Sequence, residues 1–293
     1  MKNHILPVVV ATTFIWITGT SWAANTLVAN AMAAPQGTFA IYDATQYDDK
    51  PDLSQFGIRP ITVLYQGAFW KSGENLENLP PRDRVRGLAK SAANSELAVV
   101  DIEHWPLAGV DDLVARSVNK YQTILTWLKT DVPALRLGYY GNIPIRDYSR
   151  AVQGPGSSAY QAWQAENTKL AILSSRVDVT FPSVYTFYKD ENAWIKYAIA
   201  QIDEARRMAT SKPVYVFLWP QFHKSGSTPG GDFLSATYWT TELETAIKNA
   251  DGVVIWGGRD LVAKKNLKWD NNAEWWIATK QFITEHELAV ITK

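Results

Sequence analysis

The run 97–105, Leu-Ala-Val-Val-Asp-Ile-Glu-His-Trp, closes an apolar stretch with two carboxylates one residue apart, Asp101 and Glu103. Side chains of a strand alternate between faces, so both carboxyls project from one face, about 6.6 Å apart along the chain. Two carboxyls held that close on a partly buried surface resist ionising together. One therefore keeps its proton, the condition a general acid needs. An isolated D-x-E is more often a pair of solvated charges at a strand end, so the spacing alone leaves both readings open. His104 follows Glu103 and by alternation faces away from it, behind the strand or at its rim.

Chemistry at a strand end needs a sheet to hold it. Apolar runs rich in β-branched and aromatic residues recur at 38–42, 61–65, 97–102, 135–140, 177–185, 214–219 and 252–256. Several are almost continuously apolar, as strands buried on both faces are. Between them apolar residues recur at helical spacing: Val114, Val118, Tyr121, Leu125 and Leu128; Ile195, Ile199, Ile202 and Ala205; Leu243, Ala246 and Ile247. Strands alternating with helices predict parallel βαβ units. Seven such runs, one short of the regular eight, predict a distorted parallel α/β barrel of the TIM type. The segment 66–81, with Gly67, Gly73 and two prolines, reads as a long loop. Barrels of this kind bind ligands at the C-terminal strand ends. Tyr65, Trp105 and Trp219 stand at such ends and are candidates to touch substrate. Trp219 could be a stacking platform or core packing. Arg259 and Asp260, just past the last run, could meet an anionic group or simply pair with each other. His223, in a loop, reads as solvated, and Trp275 with Trp276 as helix packing.

With 29 basic and 29 acidic residues the net charge is zero, which argues against nucleic acid and anionic lipid as partners. The absence of cysteine removes disulfides, thiol nucleophiles, cysteine-bound zinc and iron–sulfur clusters. Thirteen Trp and thirteen Tyr suit a large core, and equally the aromatic walls that stack on sugar rings. At the N-terminus Lys2 precedes an apolar run at 5–17 and small residues at Ser21, Ala23, Ala24, Ala31 and Ala33. That is the form of an export leader, and the run falls short of the ~20 residues of a membrane span. Residues 1–34 are expected to be leader and flanking segment, and 35–293 a single barrel domain. The mature protein is then secreted or periplasmic, with no stable membrane insertion; an uncleaved anchor is the alternative.

Beyond the carboxylates, Ala-Val-Val-Asp-Ile-Glu-His-Trp-Pro at 98–106 resembles the acid-bearing strand of the hyaluronidase family, glycoside hydrolase family 56. Ile-Thr-Val-Leu-Tyr at 61–65 with Gly67 resembles that family's second strand, and Leu-Gly-Tyr-Tyr at 137–140 with Pro144 its G-Y-Y segment. Phe-Pro-Ser-Val-Tyr at 181–185 is similar to its F-P-S-V-Y, and Gly-Val-Val-Ile-Trp-Gly at 252–257 to its late strand ending in Trp-Gly. The resemblance implies a distorted seven-stranded barrel and a retaining mechanism in which the substrate's own 2-acetamido group is the nucleophile. Glu103 would protonate the leaving glycosidic oxygen and later serve as base toward water. Asp101 would share a proton or hydrogen bond with Glu103 and orient the acetamido group. Tyr140 and Tyr185 would hydrogen-bond that group, and Trp256 would wall its pocket. A polysaccharide containing N-acetylhexosamine is the implied substrate, the chain is expected to act as a monomer, and no metal or organic cofactor is implied.

Departures from the family pattern sit at positions that read substrate. Pro106 replaces an Arg that can meet glucuronate, Gly258 and Arg259 replace serines, and Gln66 replaces an Asp. The implied catalytic core is retained while hyaluronan itself is put in doubt. Two other readings stay open: a sugar-binding barrel without turnover, and a lysozyme-like hydrolase of peptidoglycan, whose D-x-E strand comes without F-P-S-V-Y.

Overall fold

A computed structural model describes residues 39–226, 228, 230–260 and 262–288. The expected leader at 1–34 lies outside the described residues. Among the described residues no helix is long and apolar enough to cross a membrane.

The first half of the fold runs β1 (Ala40–Thr45), β2 (Arg59–Pro60), β3 (Thr62–Tyr65), α1 (Gln66–Phe69), α2 (Arg82–Ser91), β4 (Leu97–Asp101), α3 (Asp111–Asp131) and β5 (Arg136–Tyr139). The second runs α4 (Ser158–Thr168), α5 (Ala171–Arg176), α6 (Glu191–Met208), β6 (Tyr215–Leu218), α7 (Ala236–Asn249) and β7 (Gly252–Gly257). A small hairpin, β8 (Arg259–Asp260) with β9 (Lys265–Asn266), and α8 (Glu274–Glu285) complete it. Parallel ladders join β2-β1-β7-β6 in one sheet and β3-β4-β5 in another. Only Ile61 separates β2 from β3, so one bent stretch serves both sheets.

The run 177–185 was expected to be a strand, and the structure corrects this: it is extended but joins its neighbours by single bridges. Phe181 bridges Tyr140, Thr180 bridges Val214 and Ser183 bridges Phe217. Backbone hydrogen bonds still tie it to both sides, Gly141 N to Phe181 O at 2.9 Å and Phe217 N to Pro182 O at 2.8 Å, but Pro182 has no N–H with which to continue the ladder; Trp194 Nε1 and Tyr197 Oη of α6 donate to Val184 O at 2.8 Å and Ser183 O at 2.7 Å. Followed neighbour to neighbour, seven extended segments return to β1, an α/β barrel whose ladders are continuous only within the two sheets.

Two hydrophobic clusters show which way each strand faces. Leu97 and Val99 of β4 join the cluster that holds Tyr140, Val179 and Phe217 inside the barrel. Ala98, Val100 and Ile102 join the cluster of α2 and α3 outside it. Asp101 has the parity of Leu97 and Val99, so the alternation that packs the core also aims this carboxyl at the barrel axis. Helix α3 buries the expected stripe Val114, Val118, Tyr121, Leu125 and Leu128. In α6 the expected Ile202 and Ala205 are buried, together with Trp194, Tyr197 and Ala198, while Ile195 and Ile199 are only half-buried. The segment 66–81 begins with the single turn of α1, and buried Phe69 and Trp70 anchor it.

Candidate active site

A cavity of about 190 Å³ opens at the C-terminal strand ends, and Asp101, Glu103, Tyr140, Tyr185 and Trp256 all line it. Tyr65, Trp219, Val63 and Phe217 complete its walls, together with Arg146 and His223. Asp101 is the last residue of β4, in register with Tyr65 of β3. Glu103 lies beyond the ladder, on a turn fixed from behind by α3, where Tyr121 Oη lies 3.1 Å from both Ile102 O and Trp105 O.

The two carboxyls differ in environment. Burial, then the neighbouring Glu103 charge, pushes the Asp101 carboxyl up to about 7, against a downward pull from Arg146. Glu103 is nearer the opening, its side chain 46 % exposed, and its Oε2 pairs with Arg146 Nη2 at 3.2 Å. Thus the two carboxyls expected from the D-x-E spacing line one cavity, and the one pushed up is the less exposed Asp101.

Around the carboxyls stands a ring of aromatic groups. Tyr140 and Tyr185 lie 5.9 Å apart between ring centres, and Tyr185 is 6.0 Å from Trp256. Burial raises both phenols, Tyr140 to about 12 and Tyr185 further, so both hydroxyls remain protonated donors. Tyr140 Oη also lies 3.0 Å from Ser183 Oγ. Trp256 Nε1 donates to Tyr65 Oη at 3.1 Å and Gln46 Nε2 donates to the same oxygen at 2.7 Å. Tyr65 Oη thus accepts twice and keeps its own proton to donate. Trp219 meets Trp256 edge-on at 5.2 Å; it is 3 % exposed, so it serves core and wall at once.

Trp105 is corrected by the structure. Ladder alternation ends at Asp101, and the turn swings Trp105 into the outer cluster, 1 % exposed, where its Nε1 donates to Leu76 O at 2.8 Å. It is absent from the cavity wall. His104 is held between Gln66 Oε1 at 2.6 Å and Leu76 O at 2.8 Å, also away from the cavity. Gln66 therefore belongs to the scaffold that fixes this turn. Arg259 lines a second cavity of about 480 Å³ that shares Trp219 and His223 with the first. No pair with Asp260 forms, since Asp260 Oδ1 accepts from the backbone of Val262 and Ala263.

Two lining residues escaped the strand-end search because both come from loops. Arg146, after β5, donates to Tyr140 Oη at 3.4 Å besides pairing with Glu103. His223, expected to be solvated, is half-buried and stacks on Tyr185 at 6.0 Å. Burial holds its imidazole below the usual range, and Nδ1 lies 3.1 Å from Lys224 O, which can only accept; Nδ1 carries the proton and Nε2 is left as acceptor. Among the described residues no group of three His, Cys, Asp or Glu is disposed to hold a metal ion.

In overall structure the chain is similar to bee venom hyaluronidase, with a TM-score of 0.59 and 17 % identity over 85 % of this chain and 98 % of that one. The same enzyme in complex with a hyaluronic acid tetramer matches at a TM-score of 0.56 and 16 % identity, over 85 % and 98 % of the two chains. No protein-family model matches this sequence, and no curated protein matches it. The likeness is one of fold, an α/β barrel of parallel strands.

Proposed function

We propose that this chain is a retaining glycoside hydrolase that cleaves a polysaccharide containing N-acetylhexosamine by substrate assistance. The observation that carries this reading is the convergence of a half-buried Asp101 whose carboxyl is pushed up to about 7, a more exposed Glu103, two tyrosines raised by burial and Trp256 on one cavity. The fold shared with an enzyme seen holding a hyaluronic acid tetramer supports a polymer of sugars as substrate. At about 190 Å³ the cavity is smaller than the ~300–1,000 Å³ that encloses a whole small ligand, which suits one substituted sugar edge of a longer chain.

In this reaction Glu103 gives its proton to the glycosidic oxygen while the acetamido carbonyl oxygen attacks the anomeric carbon from the opposite face. The bond to the leaving sugar breaks as a cyclic intermediate forms. Water then adds to the anomeric carbon, the ring opens, and Glu103 takes up water's proton. Tyr140 and Tyr185 hold the acetamido group in its attacking geometry, Asp101 shares its proton with the pair, and Trp256 with Tyr65 shapes the apolar wall. Orientation of this kind converts a bimolecular attack into an intramolecular one.

The test is a screen of polysaccharides for release of reducing ends, run with the wild-type chain and Glu103→Gln. Release from at least one N-acetylhexosamine polymer, lost in the variant, is expected. Binding of such a polymer without release in either protein would favour a sugar-binding barrel; release confined to peptidoglycan would favour a lysozyme-like enzyme.

A further inference from the structure

Arg146 is half-buried beside the carboxyl pair and the tyrosines. Its Nη2 is 3.2 Å from Glu103 Oε2, its Nη1 is 3.4 Å from Tyr140 Oη, and its side chain is 31 % exposed. We propose that Arg146 is a positioning residue that holds the charge of Glu103 whenever Glu103 is ionised, and thereby steers the one proton of the carboxyl pair.

The guanidinium contacts Glu103 and not Asp101, and burial holds the proton on Asp101 against its pull. In the reaction the proton moves through Glu103 to the glycosidic oxygen, and the Glu103 carboxylate left behind falls back on Arg146. When water attacks, its proton returns to Glu103 and the pair regains its starting charge. Arg146 exchanges no proton in this cycle, as suits a group that stays ionised throughout. Burial opposes its charge, but Tyr140 and Glu103 outweigh that and hold it above its ordinary range.

Other groups facing the pair do not substitute for it. Tyr65 from β3, Tyr140 after β5 and Tyr185 from the bridging segment are kept protonated by burial, and burial also keeps His223 neutral. Arg259 acts on Tyr65 rather than contacting a carboxyl.

This inference rests on the glycosidase reading, so its test includes a measurement that needs no turnover. The full chain with ¹³C-labelled Asp and Glu carboxyls is titrated by NMR as wild type, Arg146→Gln and Arg146→Lys. In parallel, kcat/KM against pH is measured on a soluble N-acetylglucosamine oligosaccharide. Removing a nearby cation favours the protonated form. In Arg146→Gln the upper titration of the pair and the basic limb of kcat/KM should both move to higher pH, by at least about one unit. Arg146→Lys should stay near wild type, and kcat should fall more than KM rises in the Gln variant. Arg146→Met, which keeps an apolar stem in the same space, is read the same way should the Gln variant fail to fold. A uniform loss of activity with the NMR titration unmoved would overturn the inference. A shifted titration in a chain that turns over no oligosaccharide would keep it and overturn the glycosidase reading instead.

Discussion

At the end of β4, burial and then the Glu103 charge push the Asp101 carboxyl up to about 7, against the pull of Arg146. Activity that depends on this proton should decline as pH rises through about 7, visible as the basic limb of kcat/KM. The same shift has a consequence for stability. An unfolded Asp titrates near 3.9, so between about pH 4 and the folded value the native chain binds the extra proton. Stability conferred by that uptake is full below about pH 4 and lost as pH rises through about 7. Asp101→Asn should therefore raise Tm relative to wild type at pH 8 and change it little at pH 4; an equal effect at both would mean that Asp101 is solvated. Glu103→Gln removes the acid while keeping its shape, and should lower turnover at least about 10²-fold with substrate binding largely retained. Tyr185→Phe removes one orienting hydroxyl and should cost less than Glu103→Gln in the same assay.

Elements hold these groups through close contacts that leave no room for added atoms. A Cβ on Gly138 of β5 would stand 2.3 Å from Val179 O and 2.8 Å from the Phe181 ring. Gly138→Ala should therefore destabilise by about 1–3 kcal/mol, the usual effect of overpacking, and lower kcat by pushing the Tyr185 segment outward. Gly87, within α2, meets nothing within 4 Å, and Gly87→Ala should stabilise by about 0.4–1 kcal/mol. Urea midpoints of the two variants, moving in opposite directions, check both. The contrast explains what could be read in advance. Buried strands and the α3 stripe were legible because apolar period and burial coincide there. The 177–185 segment is extended and bonded to both neighbours, but Pro182 lacks the N–H that a continuous ladder needs, so single bridges stand where a full strand was expected. Trp105 misled because alternation was carried past the residue where the strand stops. Arg146 and His223 come from loops, where no period says which way a side chain points.

Taken as a whole, the molecule places its acidic pair, its phenols and its indoles at one end of a barrel. N-terminal sequencing of exported protein should find a start between about residues 24 and 35. Intact Met1 on protein recovered outside the cytoplasm would support the uncleaved anchor instead. The central claim is that the substrate supplies its own nucleophile while Glu103 moves the proton, and it has a direct chemical test. Two oligosaccharides are compared that differ only in the sugar contributing the anomeric carbon, one bearing a 2-acetamido group and the other a 2-hydroxyl. The account predicts that wild-type chain cleaves the acetamido substrate at least about 10²-fold faster, since only that substrate carries the positioned internal nucleophile. Comparable rates on the two would contradict it, because a nucleophile belonging to the protein would then be making the bond.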